Sequence, residues 1–120
     1  MNGRDRKVLQ KMLTHAEHIQ DYTGEMKSLD SFAADDKTVE ACVFNMMQIG
    51  ELAHAELSDE CKSELTVIPW NQIYGMRNRI VHGYGEVSMD IVWETIETDI
   101  PVLMKELREA LQADSEFTNA

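Results

Sequence analysis

A chain of 120 residues, 43% of them hydrophobic, suits one domain with a modest core and leaves no room for a second. Eleven basic residues against 22 acidic ones give a net charge of −11, which taken alone argues against a nucleic-acid binder, whose affinity comes largely from neutralising phosphates. No apolar run approaches the roughly 20 residues a membrane helix needs, and the polar stretch Met1 to Lys7 leads into no signal-peptide core, so a soluble, cytoplasmic protein is expected.

Residues from about 4 to 25 read as an amphipathic helix, with Leu9, Met12, Leu13, Ala16 and Ile19 recurring at steps of three and four. His15 and His18 are placed on its solvated side. A short polar segment follows, with Ser28, Asp30 and Ser31 as cap or turn residues. The next helix runs from about 36 to 57 and starts near Asp36. Val39, Val43, Met46, Gly50, Ala53 and Leu57 form its stripe, widened by Cys42, Ile49 and Leu52. Gly50 costs about 1 kcal/mol of helix propensity relative to Ala. Close approach of a neighbouring helix is the expected compensation.

Ser58 to Leu65 reads as a short helical connector. Pro69 favours a first helical turn, and a third long helix runs from Trp70 until Gly83 and Gly85 stop it. The last helix starts at Ser88, a good N-cap, and Val92, Ile96, Ile100, Leu103, Leu107 and Ala110 make its stripe. Pro101 inside it predicts a kink, and from Ala113 the tail is expected to fray. No segment alternates with period two. The expected fold is therefore all-α, an up-and-down bundle of four to five helices within a single domain spanning 1–120. Cys42 and Cys61 form no CxxC pair and read as free thiols in a reducing cytosol.

The informative stretch is Gly75-Met76-Arg77-Asn78-Arg79-Ile80-Val81-His82-Gly83-Tyr84. From Pro69 to Gly85 there is no acidic residue, while Arg77, Arg79 and His82 all fall there, so a focused positive site can exist within a repelling surround. On a straight helix Arg77 and His82 lie about 140° apart around the axis. One chain brings them to a common phosphate if the helix ends at His82 and the side chain swings back. Two chains do so if they meet there and pool their residues. A base for the 2′-OH, an acid for the leaving 5′-oxygen and a cation for the phosphorus transition state are what RNA cleavage needs. Histidine serves either proton role near neutral pH, and arginine presents a planar fork to phosphate oxygens. Asn78 can orient a partner. Glu51-x-x-His54 has the spacing of half a di-iron site, but no second copy exists, so no metal and no cofactor are expected.

Arg77-x4-His82-x-Tyr84 resembles the motif of HepT toxins, members of the HEPN superfamily. Ile68-Pro69-Trp70, Gly75-Met76, Val92-Trp93-Glu94-Thr95 and Asp99-Ile100-Pro101 around it, and Ile49-Gly50-Glu51 upstream, are similar too, so that the likeness runs from about residue 4 to about 112. The resemblance implies a homodimeric helical bundle with the motif at the subunit interface, acting as a metal-independent endoribonuclease. Arg77 and His82 would be catalytic, with Asn78 and Arg79 in support. It implies a toxin paired with a minimal nucleotidyltransferase antitoxin of the MntA type, which transfers AMP from ATP onto Tyr84 and silences the nuclease. Two rival readings remain. One is a non-catalytic module that binds nucleotide and the transferase partner. The other is a purely structural dimer, in which Arg77, His82 and Tyr84 point apart.

Overall fold

The computed structural model describes residues 1–119. Among these residues the regular structure is all helical, with four long α-helices, three short ones and no strand, as the periodicity predicts. None of the described helices is long and apolar enough to cross a membrane.

Helix α1, Gly3–Thr23, starts where Asn2 accepts a hydrogen bond from the Asp5 amide at 2.7 Å. Its stripe of Val8, Leu9, Met12, Ala16 and Ile19 is buried between α3 and α7. Asp5 is buried as well, and its carboxylate accepts from the Ser58 amide at 2.9 Å and the Ser58 hydroxyl at 2.6 Å. Both oxygens of a carboxylate withdrawn from water thus have donors. The stretch expected as polar turn forms a short helix α2, Leu29–Ala33, capped by Ser28. It exists to bury one side chain: Phe32 is fully enclosed and lies 5.2 Å from the Trp93 ring.

Helix α3, Asp36–Glu51, is capped by Asp35 and not by Asp36; the Asp35 carboxylate accepts from the Thr38 amide at 3.1 Å. The helix widens into a π-turn over Leu52–Glu56, closed by the Leu57 amide on the Leu52 carbonyl at 3.1 Å. Every residue of its predicted stripe is buried. The connector is α4, Asp59–Glu64, with Ser58 as its cap.

Helix α5, Trp70–Gly83, lies against α3. The Trp70 indole donates to the carbonyls of Lys62 and Leu65, each at 3.1 Å, which fixes its first turn. Glycine does not end α5 through a left-handed cap, because no described residue has positive φ. The chain tightens instead into a 3₁₀ turn, Tyr84–Glu86.

The last rod is α6, Met89–Glu94, a π-turn over Thr95–Asp99, and α7, Ile100–Asn119. The Ser88 side chain makes no cap bond; only its carbonyl serves, accepting from the Val92 amide at 3.1 Å. Pro101 lacks an N–H and its ring crowds the carbonyl four residues back, and the wide turn just before it absorbs both defects without ending the helix. The segment from Ala113, expected to fray, continues α7 as far as Asn119. Arg6 ties it to α1 through Asp114 at 2.7 Å and Ser115 at 2.6 Å.

Gly50 shows why α3 tolerates a glycine. A Cβ there would overlap Arg77 Cβ, lie 2.9 Å from Arg77 Cγ and 3.3 Å from the Ile73 carbonyl. Gly50→Ala is therefore expected to destabilise the protein by about 1–3 kcal/mol through overpacking, despite gaining about 1 kcal/mol of helix propensity. Urea unfolding checks this, and a midpoint at or above that of the wild type would contradict it. Glu106 on α7 makes a second prediction. Its Oε2 is shut off from solvent with no hydrogen-bond partner among the described residues. Burial, and then repulsion from Glu109, raises its pKa above the usual glutamate range. The charged form is thus disfavoured in the folded state, and stability is lost as pH rises from the unfolded towards the folded pKa. Glu106→Gln should raise the melting temperature at neutral pH and leave it unchanged below about pH 4, where both residues are neutral. An equal shift at both pH values would contradict it.

Candidate functional site

The stretch singled out by the sequence lies on the least buried of the long helices. Over Trp70–Gly83 only Ile80 is buried. Trp70, Ile73 and Met76 pack part of their surface against the core, Arg77 and Asn78 are half-buried, and Asn71, Gln72, Tyr74, Arg79, Val81 and His82 are exposed.

Arg77 leans on α3. Its backbone side rests over Gly50, and its Nε donates to Glu51 Oε1 in a close ion pair. Its Nη1 donates to Asn78 Oδ1 at 2.9 Å. Two of the three guanidinium nitrogens are thus fixed by the protein. Nη2 has no protein partner among the described residues and stays available to an anion. The Arg77 side chain is 21% exposed, so the pair is neither deeply buried nor fully solvated.

His82 sits in the last turn of α5, exposed, with no hydrogen bond or ion pair among the described residues. Tyr84 follows in the 3₁₀ turn, and 48% of it is exposed. Arg79 does not join Arg77. It lines a groove of about 580 Å³ on the other side of α5, between α3 and the α6–α7 rod. Met46, Ile49 and Leu103 give that groove an apolar floor, and Glu94, Asp99 and Glu106 also line it. Ile91 at 38% and Val102 at 53% exposure stand at this groove. The structure thus joins Arg77 and Asn78, leaves His82 and Tyr84 free at the helix end, and turns Arg79 away.

Glu51 is the residue to which sequence reasoning gives no role at the site: it is weighed with His54 as half of a metal pair and set aside, and otherwise enters only in the Ile49-Gly50-Glu51 likeness. Glu51 is engaged by Arg77, and the His54 ring stacks on Tyr74 with centroids 4.1 Å apart. The signal available was its place directly after Gly50, the residue marked for close helix approach. His15 departs from expectation too: it is half-buried and bonds through Nδ1 to Asn45 Oδ1 at 2.8 Å, satisfying a buried amide, whereas His18 is exposed. Cys42 and Cys61 are free and buried, and burial pushes both thiols up to about 11. They stay protonated and inert near neutral pH.

Residues 12–110 match the model of a family described as Ribonuclease HepT-like. A protein of Caldanaerobacter subterraneus named as a candidate RNase is 37% identical over 87 residues, covering 72% of this chain and 77% of its own. The probable ribonuclease HepT of Thermococcus cleftensis is 29% identical over 103 residues, covering 86% of this chain and 92% of its own. Another candidate RNase, from Methanocaldococcus jannaschii, is 27% identical over 107 residues, covering 89% and 87%. No solved structure matches significantly. A family model that spans most of the chain, on an all-helical bundle with the motif on its most open helix, places this protein in the ribonuclease HepT-like family of the HEPN superfamily.

Proposed function

We propose that this HepT-like protein is the toxin of a toxin–antitoxin pair and cuts RNA endonucleolytically without a metal, at a site built from Arg77 and His82. The observation that carries the reading is an arginine held by Glu51 and Asn78, with one nitrogen unspent, on the same open helix as an unpaired histidine. His82 takes the proton from a 2′-OH. The 2′-oxygen then bonds to phosphorus, the bond from phosphorus to the 5′-oxygen breaks, and a protonated imidazole returns a proton to that leaving oxygen. Arg77 stabilises the charge that builds on the phosphoryl oxygens. Asn78 and Glu51 keep the guanidinium in place, and Arg79 supports from the far side of the helix.

A second copy completes the site. Arg77 and His82 diverge around α5, and a two-fold axis beside that helix supplies two sets to one cleft. The apolar groove next to the motif, with Ile91 and Val102 exposed, is the face that such a copy would cover. Exposed Tyr84 is the acceptor, through its hydroxyl, for silencing by an MntA-type nucleotidyltransferase. Its oxygen attacks the α-phosphate of ATP, pyrophosphate leaves, and the phenolic proton passes to solvent. The product places bulk and negative charge where RNA phosphates belong. The protein acts in the cytoplasm, where both RNA and ATP are present.

The net charge of −11 favours one rival, a module that binds nucleotide and the transferase partner without cleaving RNA. Incubation of the purified dimer with total RNA in EDTA separates them. The wild type should cleave, and Arg77→Ala and His82→Ala should each lose about 100-fold or more. Mixed together, the two dead variants should regain about a quarter of wild-type activity, because half the dimers are hybrids with one intact composite site. Absence of cleavage by unmodified, dimeric wild type sinks the nuclease reading. For the silencing step, co-expression with a minimal nucleotidyltransferase encoded beside the gene should add adenylate mass to the wild type and none to Tyr84→Phe. A Tyr84→Phe protein carrying that mass would move the acceptor elsewhere.

A further inference from the structure

Beside the Glu51–Arg77 pair lies a second rung built the same way across the same helices. His54 stands three residues after Glu51, on the π-turn that ends α3, and Tyr74 stands three residues before Arg77 on α5. Their rings stack at 4.1 Å with an interplanar angle of 22°. Three residues are one helical step of about 4.5 Å, so the ring pair is the immediate neighbour of the arginine along α5.

Several features separate this pair from ordinary packing. His54 is exposed and Tyr74 is 37% exposed, so the two aromatic rings cover each other without being covered by the protein. The π-turn presents His54, and such turns concentrate where a helix is modified for function. Both rings line a pocket of about 490 Å³, the size range of small-ligand sites. Trp70 walls it rigidly, because its indole nitrogen is already committed to two carbonyls. Lys62 brings a cation: one of its N–H groups is taken by the Ala53 carbonyl at 3.0 Å, and the exposed Asp59 is 3.8 Å away. Asn71 adds an exposed amide that can meet the edge of a base.

We infer that His54 and Tyr74 form a stacking platform for a base of single-stranded RNA, on the nucleotide next to the one whose phosphate Arg77 holds, with Lys62 contacting the neighbouring phosphate. The assignment rests on the ribonuclease reading for the identity of its ligand. Aromatic platforms hold unpaired bases through their π faces whatever the sequence, while cations track the backbone. Such a platform gives an acidic protein a grip on RNA that does not depend on net charge. It also selects single strands, because a base within a duplex has no free face to offer.

The test measures fluorescence anisotropy of a labelled ten-nucleotide single strand with dimeric His82→Ala protein, which holds RNA without cutting it, at low salt. Adding Tyr74→Ala should weaken binding about tenfold or more, and His54→Ala should act in the same direction. Adding Tyr74→Phe should match the His82→Ala parent, since the ring stacks and the hydroxyl does not. Unchanged affinity in the Tyr74→Ala protein overturns the platform. So does a Phe variant as weak as the Ala variant, equal competition by duplex RNA, or no RNA binding by the parent. Wild-type cleavage of total RNA, run alongside, keeps the two readings apart. Cleavage with affinity indifferent to Tyr74 removes the platform alone, and Tyr74-dependent binding without wild-type cleavage removes the nuclease alone.

Discussion

The contact between α3 and α5 at Gly50 and Arg77 determines most of what the motif can do. Helix α5 has only Ile80 fully buried, so its own hydrophobic burial holds it weakly. The missing side chain at Gly50 lets the Arg77 stem settle directly on the α3 backbone, with the Ile73 carbonyl almost as close. Glu51 then reaches the guanidinium from the next position of α3. Backbone proximity and an ion pair therefore act on the same side chain. An exposed arginine samples many rotamers, and one fixed through Nε and Nη1 has lost much of that freedom before any anion arrives. Trp70 secures the other end of the same helix through two carbonyls.

What the sequence disclosed follows from what periodicity encodes. The stripes of α1, α3 and the α6–α7 rod were legible because each repeats over several turns, and nearly all their members are buried. Gly50 was legible as a close approach because nothing else offsets a glycine in mid-helix. Helix α2 is only five residues long, with Leu29 and Phe32 as its large apolar side chains, too short for a period to emerge, and it became visible only through the contact of Phe32 with Trp93. The π-turns escaped because i→i+5 bonding leaves no compositional mark, apart from Pro101 beside one of them. Glu51 escaped for a different reason. Spacing within a helix says which residues share a face, and it is silent on which residue of another helix stands opposite. The same limit applies to His15, whose place on α1 points to solvent while Asn45 on α3 meets its ring.

A cluster in sequence is not a cluster in space, and α5 illustrates the difference. Arg77, Asn78 and Arg79 are consecutive, yet about 200° separates the first from the third around the axis. One faces α3 and its glutamate, the other a groove bounded by α6 and α7. Tyr74 and Asn78, four apart, fall within about 40° of each other, about 60° and 100° round the axis from Arg77. The helix thus has two working sides: one holds Arg77 with an aromatic rung beside it, and the other sets Arg79 at a groove with an apolar floor and carboxylates on its walls.

Acidity then becomes a matter of range. Several of the chain's cations are engaged in ion pairs: Arg77 by Glu51, Arg6 by Asp114, Lys62 by Asp59 and Arg108 by Glu17. Within the acid-free window, Arg79 and His82 carry no ion pair among the described residues. So few cations in a chain of net charge −11 cannot draw a polyanion from afar. At physiological ionic strength, however, charges interact effectively only within about 8 Å, and the acidic faces beyond that distance are screened. Inside it, what matters is how few anions stand near the site and how well its donors are already oriented. Glu51 belongs to this logic, for it spends one negative charge to hold Arg77 where its remaining nitrogen faces outward. An acidic exterior with an acid-free helix at its working edge disfavours indiscriminate backbone binding and leaves recognition to short-range contacts, where geometry outweighs net charge.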